Sequence, residues 1–360
     1  MFFKYPINDV HIHVFDPDDL DDCIRMVDFC GYEHWTFLAC TLIGGPFALT
    51  QNLLSALAKL RGNGRCQAFG SFHYDGNRVP DADNLLAQIR WFYDAGFDGI
   101  KMLDGKPGVR LRQNLPLDAE NYDKMFSFAE RTQFPILYHI NDPIEFWHRD
   151  RLPKWAEEKD FYYGGGDYPH KFAIDEETFG ILHKHPNLNL CIPHFFFISD
   201  QPGLCCELLE RYPNLYFDIT PGWEMFENFA ADIAYWRAFF KRYSHKILFG
   251  TDTYSDHWRE TVSCLRKAME TGERFTAFEE NCVGLDLPEE ALRDIYYRNY
   301  DKFVRRSDRK IDMDMVLAYA DTLYKRVPDD GNRGITTAAI DRLKAEIMRC
   351  QTAGREEEKA

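Results

Sequence analysis

Eight short apolar runs separated by amphipathic stretches constrain the fold of this chain more than any single residue does. The runs fall at 8–14, 35–42, 66–73, 99–103, 135–140, 188–193, 215–219 and 246–250, each of a length and composition that suits a buried strand. Helical spacing lies between and after them, at 18–29, 51–60, 82–94, 118–131, 175–183, 203–211, 223–243 and 258–269. Strict alternation implies a parallel sheet with helical crossovers, and eight repeats predict an α/β protein closed into a (β/α)8 TIM barrel. A chain of 360 residues that is 45% hydrophobic can bury such a core. No glycine-rich phosphate loop follows the first strand, which disfavours the rival dinucleotide-binding fold.

Helix ends support this register. Gly31 and Gly96 sit just past helices, where a left-handed closing residue is expected, and Pro17-Asp18-Asp19 places acid at a helix start. Two segments depart from the rhythm. The 141–171 connection carries Phe146, Trp147, Trp155, Phe161, Tyr162, Tyr163 and Tyr168 and the run Gly164-Gly165-Gly166. A long irregular loop on the active face of a barrel predicts a lid or an interface arm. Beyond a closing helix at 296–306, helical spacing returns at 311–324 and 337–349, broken by Pro328-Asp329-Asp330-Gly331 and followed by a polar, frayed tail from Thr352. The expected organisation is a barrel over 1–306 and a C-terminal helical extension over 307–360.

Charge and composition exclude several partners. A net charge of −15 disfavours nucleic acid and anionic membrane surfaces, both of which reward basic patches. Met1 to Pro6 has no long apolar core of the secretory kind and no later stretch is long enough to span a bilayer, so a cytoplasmic location is expected. The ten cysteines show no Cys-x-x-Cys and no regular spacing, which suits small buried hydrophobes in a reducing compartment. Homo-oligomerisation is compatible with everything above.

The chemistry collects at strand ends. In Asp9-Val10-His11-Ile12-His13, residues two apart on a strand share a side, so His11 and His13 form a two-toothed metal clip with Val10 and Ile12 opposite. Lys101 lies on the fourth strand, His139 ends the fifth, His194 ends the sixth and Asp252 ends the eighth. In a barrel of this type the C-terminal strand ends meet at one mouth, whatever their separation in sequence. His73, ending the third strand, reads equally well as a structural histidine.

These residues carry a family resemblance. Asp9-x-His11-x-His13, the strand-five His139, the strand-six His194 and Phe249-Gly250-Thr251-Asp252 resemble the amidohydrolase superfamily. The likeness is to its amidohydrolase-2 branch, which includes aminocarboxymuconate semialdehyde decarboxylase, resorcylate decarboxylases and pyrone dicarboxylate lactonase. The approach Arg211-Tyr212-Pro213-Asn214-Leu215-Tyr216-Phe217-Asp218 and the closing-helix Asn299 extend it. The resemblance implies His11, His13, His139 and Asp252 as ligands of one divalent metal per chain, with His194 acting on substrate; a His194 that holds a second metal is the alternative. Zinc is the first expectation, and manganese or iron also suits such donors. Asp252 would double as proton carrier. A carbamylated Lys101 bridging two metals, as in binuclear relatives, is the alternative to a lysine that contacts substrate.

The sequence departs from the family pattern in two places. His194-Phe195-Phe196-Phe197 presents bulk where glycines often follow the histidine, and Thr253-Tyr254 follows Asp252 where Phe or Trp and Pro are common. Three functions therefore stay open: a metal-dependent hydrolase of a lactone, amide or ester, a non-oxidative decarboxylase on the same site, and a metal-binding barrel without turnover. Lys106, Arg110 and Arg112 follow Lys101 into the mouth of an acidic chain, which predicts a small anionic substrate with Lys101, Arg110 and Arg112 as contacts.

Overall fold

All eight apolar runs form strands, and the sheet runs β1 to β8 in chain order. They are β1 (Ile7–Ile12), β2 (Tyr32–Leu38), β3 (Cys66–Gly70), β4 (Gly99–Gly105), β5 (Ile136–Ile140), β6 (Leu190–Ile192), β7 (Leu215–Asp218) and β8 (Ile247–Leu248), every neighbouring pair parallel. The computed structural model describes residues 4–357 except 75, 77, 254–257, 278–279 and 305–308. The expected boundary at 306/307, the end of the helix expected at 296–306, Tyr254 and the tail beyond 357 lie outside the described residues. Closure runs through the backbone: Val10 N donates to Phe249 O (3.0 Å), Asp252 N to His11 O (2.8 Å) and His13 N to Thr253 O (3.1 Å).

The crossovers are α1 (Leu20–Cys30), α2 (Gln51–Arg61), α3 (Ala82–Asp94), α4 (Pro107–Gln113), α5 (Glu120–Thr132), α6 (Lys154–Glu158), α7 (Lys171–Lys184), α8 (Pro202–Arg211), α9 (Trp223–Ala231), α10 (Ile233–Tyr243) and α11 (Trp258–Glu270). The single helix expected over 223–243 breaks at Asp232, whose non-helical backbone and side-chain bond to Tyr235 N start a new helix. The helix expected from 175 begins earlier, because the His170 ring accepts from Phe172 N and caps it at Lys171. After α11 the chain adds a small antiparallel pair, β9 (Arg274–Ala277) and β10 (Glu280–Val283), which the alternation does not announce. Then come α12 (Glu289–Arg293) and α13 (Asn299–Val304).

Two cores hold the barrel. Inside, Val10, Leu38, Phe69, Leu137, Cys191, Tyr216 and Leu248 form one cluster with Tyr300, Phe303 and Val304 of α13. Outside, a larger cluster joins the strands' other faces to the helices. Val10 thus faces inward while Ile12 packs outward, so the alternation expected of β1 fails. The cause is a register shift against β2 between Asp9 and Ile12.

The extension forms α14 (Met313–Leu323) and α15 (Arg333–Glu357), helical through residues the sequence presents as a frayed tail. Val316, Leu323, Ile340, Leu343 and Ile347 belong to the outer core, and Thr336 Oγ1 donates to Pro46 O at 2.8 Å. Tyr319 of α14 stacks on His73 and hydrogen-bonds its Nε2, so His73 is structural. Among the described residues no helix is long and apolar enough to cross a membrane.

Candidate active site

The two β1 histidines are aimed by what holds their far nitrogens. His11 Nδ1 meets Asp218 Oδ2 at 3.0 Å, and His13 Nδ1 donates to Leu38 O at 2.9 Å, so each Nε2 turns to the mouth. There His11 Nε2 lies 3.5 Å and His13 Nε2 3.4 Å from Asp252 Oδ1. Donor atoms of His11, His194 and Asp252 all fall within 4.8 Å of one another. The His139 ring packs edge-on against His194, centroids 4.9 Å apart. The strand ends that the sequence names therefore meet, although they are spread over 242 positions of chain.

Asp9, a motif residue with no expected task, acts as the clamp. Its Oδ1 accepts from His11 N (2.9 Å) and Thr251 N (3.2 Å), and its Oδ2 from Thr251 Oγ1 (2.6 Å), which ties the first strand to the approach to Asp252. Asp218, present in the family pattern but given no role from sequence, does the same for the sixth strand. Its Oδ1 accepts from His194 N at 2.9 Å while its Oδ2 faces His11. A buried carboxylate spaced from the histidines by a full strand has no local signal, and only the fold reveals its partner.

The bulk after His194 adopts an unusual shape. His194, Phe195, Phe196 and Phe197 all have positive φ (56°, 54°, 57° and 50°), as does Asp252 (52°). This left-handed turn, which glycine adopts freely, costs other residues roughly 1–2 kcal/mol each. Packing offsets the cost: Phe195 is buried against Phe217, Phe229, Trp236, Phe239 and Phe240. Strain concentrated on a cleft histidine and aspartate is a mark of a functional site. The turn also stacks Phe197 on the His194 ring at 4.9 Å.

Lys101 and Arg110 do not occupy the places expected of them. Lys101 is only 1% exposed, with its Nζ 3.3 Å from His11 Nε2, so it floors the cluster instead of standing at the rim. Burial pushes its ammonium down toward the neutral amine. Arg110 is turned away: residues 107–113 form α4 rather than an open loop, and the guanidinium pairs with Glu177 at 2.9 and 2.8 Å. Arg112 is on the exposed side of α4. Neither arginine lines the cleft, because a helical turn spends Arg110 on structure. Of the cations that follow β4, Lys106 is the one that reaches it.

That cleft has a volume of 510 Å³ and is lined by His139, His194 and Asp252 with Lys106, Lys159 and an aromatic wall of Phe146, Trp155, Phe161 and Phe197. Three of those aromatics come from the 141–171 connection, which packs its own small core around Phe146, Trp147, Ala156 and Tyr163. The connection therefore forms one wall of the cleft. Its neighbour Glu224, also without a sequence signal, is buried behind Gly222, with both carboxylate oxygens unpartnered among the described residues.

A family model for amidohydrolases, Amidohydro_2, matches residues 68–306. The chain belongs to the amidohydrolase-2 family. No curated protein matches this amidohydrolase in sequence. Among solved structures it is similar to an uncharacterised TIM-barrel protein of Bordetella bronchiseptica, with 15% identity, 84% of this chain and 100% of that one covered, and a TM-score of 0.53. It is also similar to IDCase from Metarhizium anisopliae, with 15% identity, 84% and 97% coverage and a TM-score of 0.50. These likenesses establish the shared barrel.

Members of the family generally bind a divalent metal, and the donors of this amidohydrolase fit one. Burial, with Lys101 next, holds His13 down at about 3, and burial brings His139 to about 4, so both imidazoles are neutral and ligand-competent. His11 and His194 are also held well below the ordinary histidine range, chiefly by burial. Among the described residues, His139 Nε2 and His194 Nδ1 are buried without a partner inside hydrogen-bond distance, the nearest carboxylate oxygen to His139 Nε2 being Asp142 Oδ1 at 3.6 Å. Burial lifts Asp9 and Asp218 to about 7 and Asp252 to about 6, as expected of carboxylates packed where a cation belongs.

Proposed function

We propose that this amidohydrolase is a metal-dependent hydrolase of a small carboxylated molecule, a lactone, amide or ester. His11, His13, His139 and Asp252 would hold one divalent ion, zinc first by donor chemistry. The observation that carries this reading is the convergence of neutral imidazole and carboxylate donors on one point, with His13, His11 and His194 all around Asp252. A bound ion supplies Lewis acidity and brings the pKa of water from 15.7 to about 7.

The side chains then divide the work. Asp252, with 38% of its side chain open to the cleft, takes the proton of the attacking water and returns it to the leaving group. His194 polarises the carbonyl, its ring held in place by Phe197 and its backbone by Asp218. Lys106 receives the substrate carboxylate, and the aromatic wall packs its apolar body and excludes water. Lys101 is placed beneath the cluster, against His11, rather than against the substrate.

Metal analysis of the purified protein, followed by a panel of lactones, amides, esters and aromatic acids, tests the reading. About one ion per chain and chelator-sensitive ester or lactone cleavage is the expected result. Two ions joined by a carbamylated Lys101 would overturn the single-ion site. Carbon dioxide release from an aromatic acid would assign the decarboxylase alternative, and bound metal without turnover would leave a binding barrel.

A further inference from the structure

Asp142 stands where three parts of the molecule meet. It follows β5 by two residues, and its buried carboxylate accepts from Lys106 Nζ at 3.1 and 3.0 Å and from Tyr163 Oη at 2.8 Å. Its Oδ1 also lies 3.6 Å from His139 Nε2. Tyr163 belongs to the small aromatic core of the arm over the cleft, alongside Phe146 and Trp147. Lys106 adds a second tie, its Nζ lying 4.7 Å over the Phe161 ring of the same arm. Among the described residues His139 Nε2 has no other partner, so Asp142 is the group toward which that nitrogen points.

An imidazole binds a metal through one nitrogen and is oriented through the other, and a carboxylate at the second nitrogen fixes tautomer and ring angle. With Nε2 turned to Asp142, Nδ1 is the nitrogen left for the centre. The same Asp142 carboxylate is a main polar anchor of the arm. Anything that tightens the His139 contact draws Asp142 into the position that also seats Tyr163 and Lys106. By linkage, seating the arm favours the ligand geometry of His139 by the same free energy.

We propose that Asp142 is a positioning residue that couples closure of the 141–171 arm to metal binding at His139, through one carboxylate shared by His139, Lys106 and Tyr163. The coupling rests on the metal site put forward above, but it makes a separate claim about the arm. It places the three contacts in one two-state unit: arm seated with His139 aimed, or arm released with His139 free to turn. Substrate whose carboxylate draws on Lys106 would then act on the same unit.

The test uses the full chain with Zn2+ and Co2+ as probes. Competition with a chelator measures Zn2+ affinity, the visible absorption of the Co2+-loaded protein reports ligand geometry, and amide hydrogen exchange follows residues 144–170. In the wild type, Zn2+ is expected to raise exchange protection in the arm. Asp142→Ala should weaken Zn2+ by about 10- to 100-fold, the usual loss for such an orienting group, alter the Co2+ spectrum and abolish the metal-induced protection. Tyr163→Phe removes only the arm's bond and leaves the ring in its core, so it guards against a misfolded Asp142 variant. It should weaken Zn2+ several-fold and halve or better the protection gained. Unchanged Zn2+ affinity in Tyr163→Phe, or Zn2+ binding without added protection of the wild-type arm, overturns the coupling while leaving the metal site intact. Failure of the wild type to bind Zn2+ or Co2+ overturns both.

Discussion

His11 Nδ1 lies 3.0 Å from Asp218 Oδ2, and the other oxygen of that carboxylate accepts from His194 N at 2.9 Å. One buried group on β7 thus sets the ring of a β1 histidine and the backbone of the histidine two residues past β6. Asp218→Asn keeps an acceptor for the backbone but disturbs the imidazole's orientation. The expected result is a folded barrel whose metal affinity falls by about 10- to 100-fold, read by chelator competition beside a circular dichroism spectrum. Wild-type affinity in this variant would remove Asp218 from the site.

Asp252 and His194 are separable by their losses. Asp252→Asn is expected to stay folded, keep much of its metal and lose on the order of 10²-fold in turnover, because the amide no longer takes up the proton. His194→Ala should also lose turnover and keep the metal. Elemental analysis of both variants checks this, and a His194→Ala protein without metal would make His194 a ligand, which its place within 4.8 Å of His11 and Asp252 permits.

The two cations of the β4 connection should behave oppositely. Lys106 lines the cleft, so Lys106→Ala, assayed at saturating metal, should raise KM for an anionic substrate about 10-fold, with a wild-type KM that itself grows with salt. Arg110 is bonded twice to Glu177, so Arg110→Ala should leave KM unchanged and cost about 3 kcal/mol of stability in a denaturant titration. A KM effect on Arg110→Ala would mean that α4 opens when substrate binds.

Glu224 gives the molecule an acid-side stability. Burial pushes its carboxyl up to about 8 from an ordinary value of 4.5, and among the described residues no other residue hydrogen-bonds to either oxygen. In the unfolded chain the group ionises near 4.5 while the folded protein still holds the proton. The unfolded state therefore binds fewer protons across pH 4.5–8, and stability falls as pH rises through that window. Its contribution is fully present below 4.5 and lost by about 8, an amount of a few kcal/mol. Glu224→Gln should flatten the decline, so that Tm measured from pH 5 to 8 drops less in the variant than in the wild type. Parallel profiles would show that Glu224 finds a partner that keeps it ionised.

The sequence by itself determined the barrel and the set of polar strand ends. Strand and helix periods are local properties, and eight alternations leave few ways to bury every apolar face. His11, His13, His139, His194 and Asp252 were legible because a barrel brings C-terminal strand ends together wherever they fall in the chain. Tertiary structure alone decided what each neighbouring charge does. Lys101 and Arg110 carry the same sign in the same stretch, yet one floors the histidine cluster and the other is held by Glu177 of α7. Likewise Asp9, Asp142 and Asp218 look alike as letters, and their tasks come from partners up to 242 residues away. A side chain's reach and desolvation depend on what packs against it, and such partners are chosen by the folded geometry rather than by neighbours along the chain.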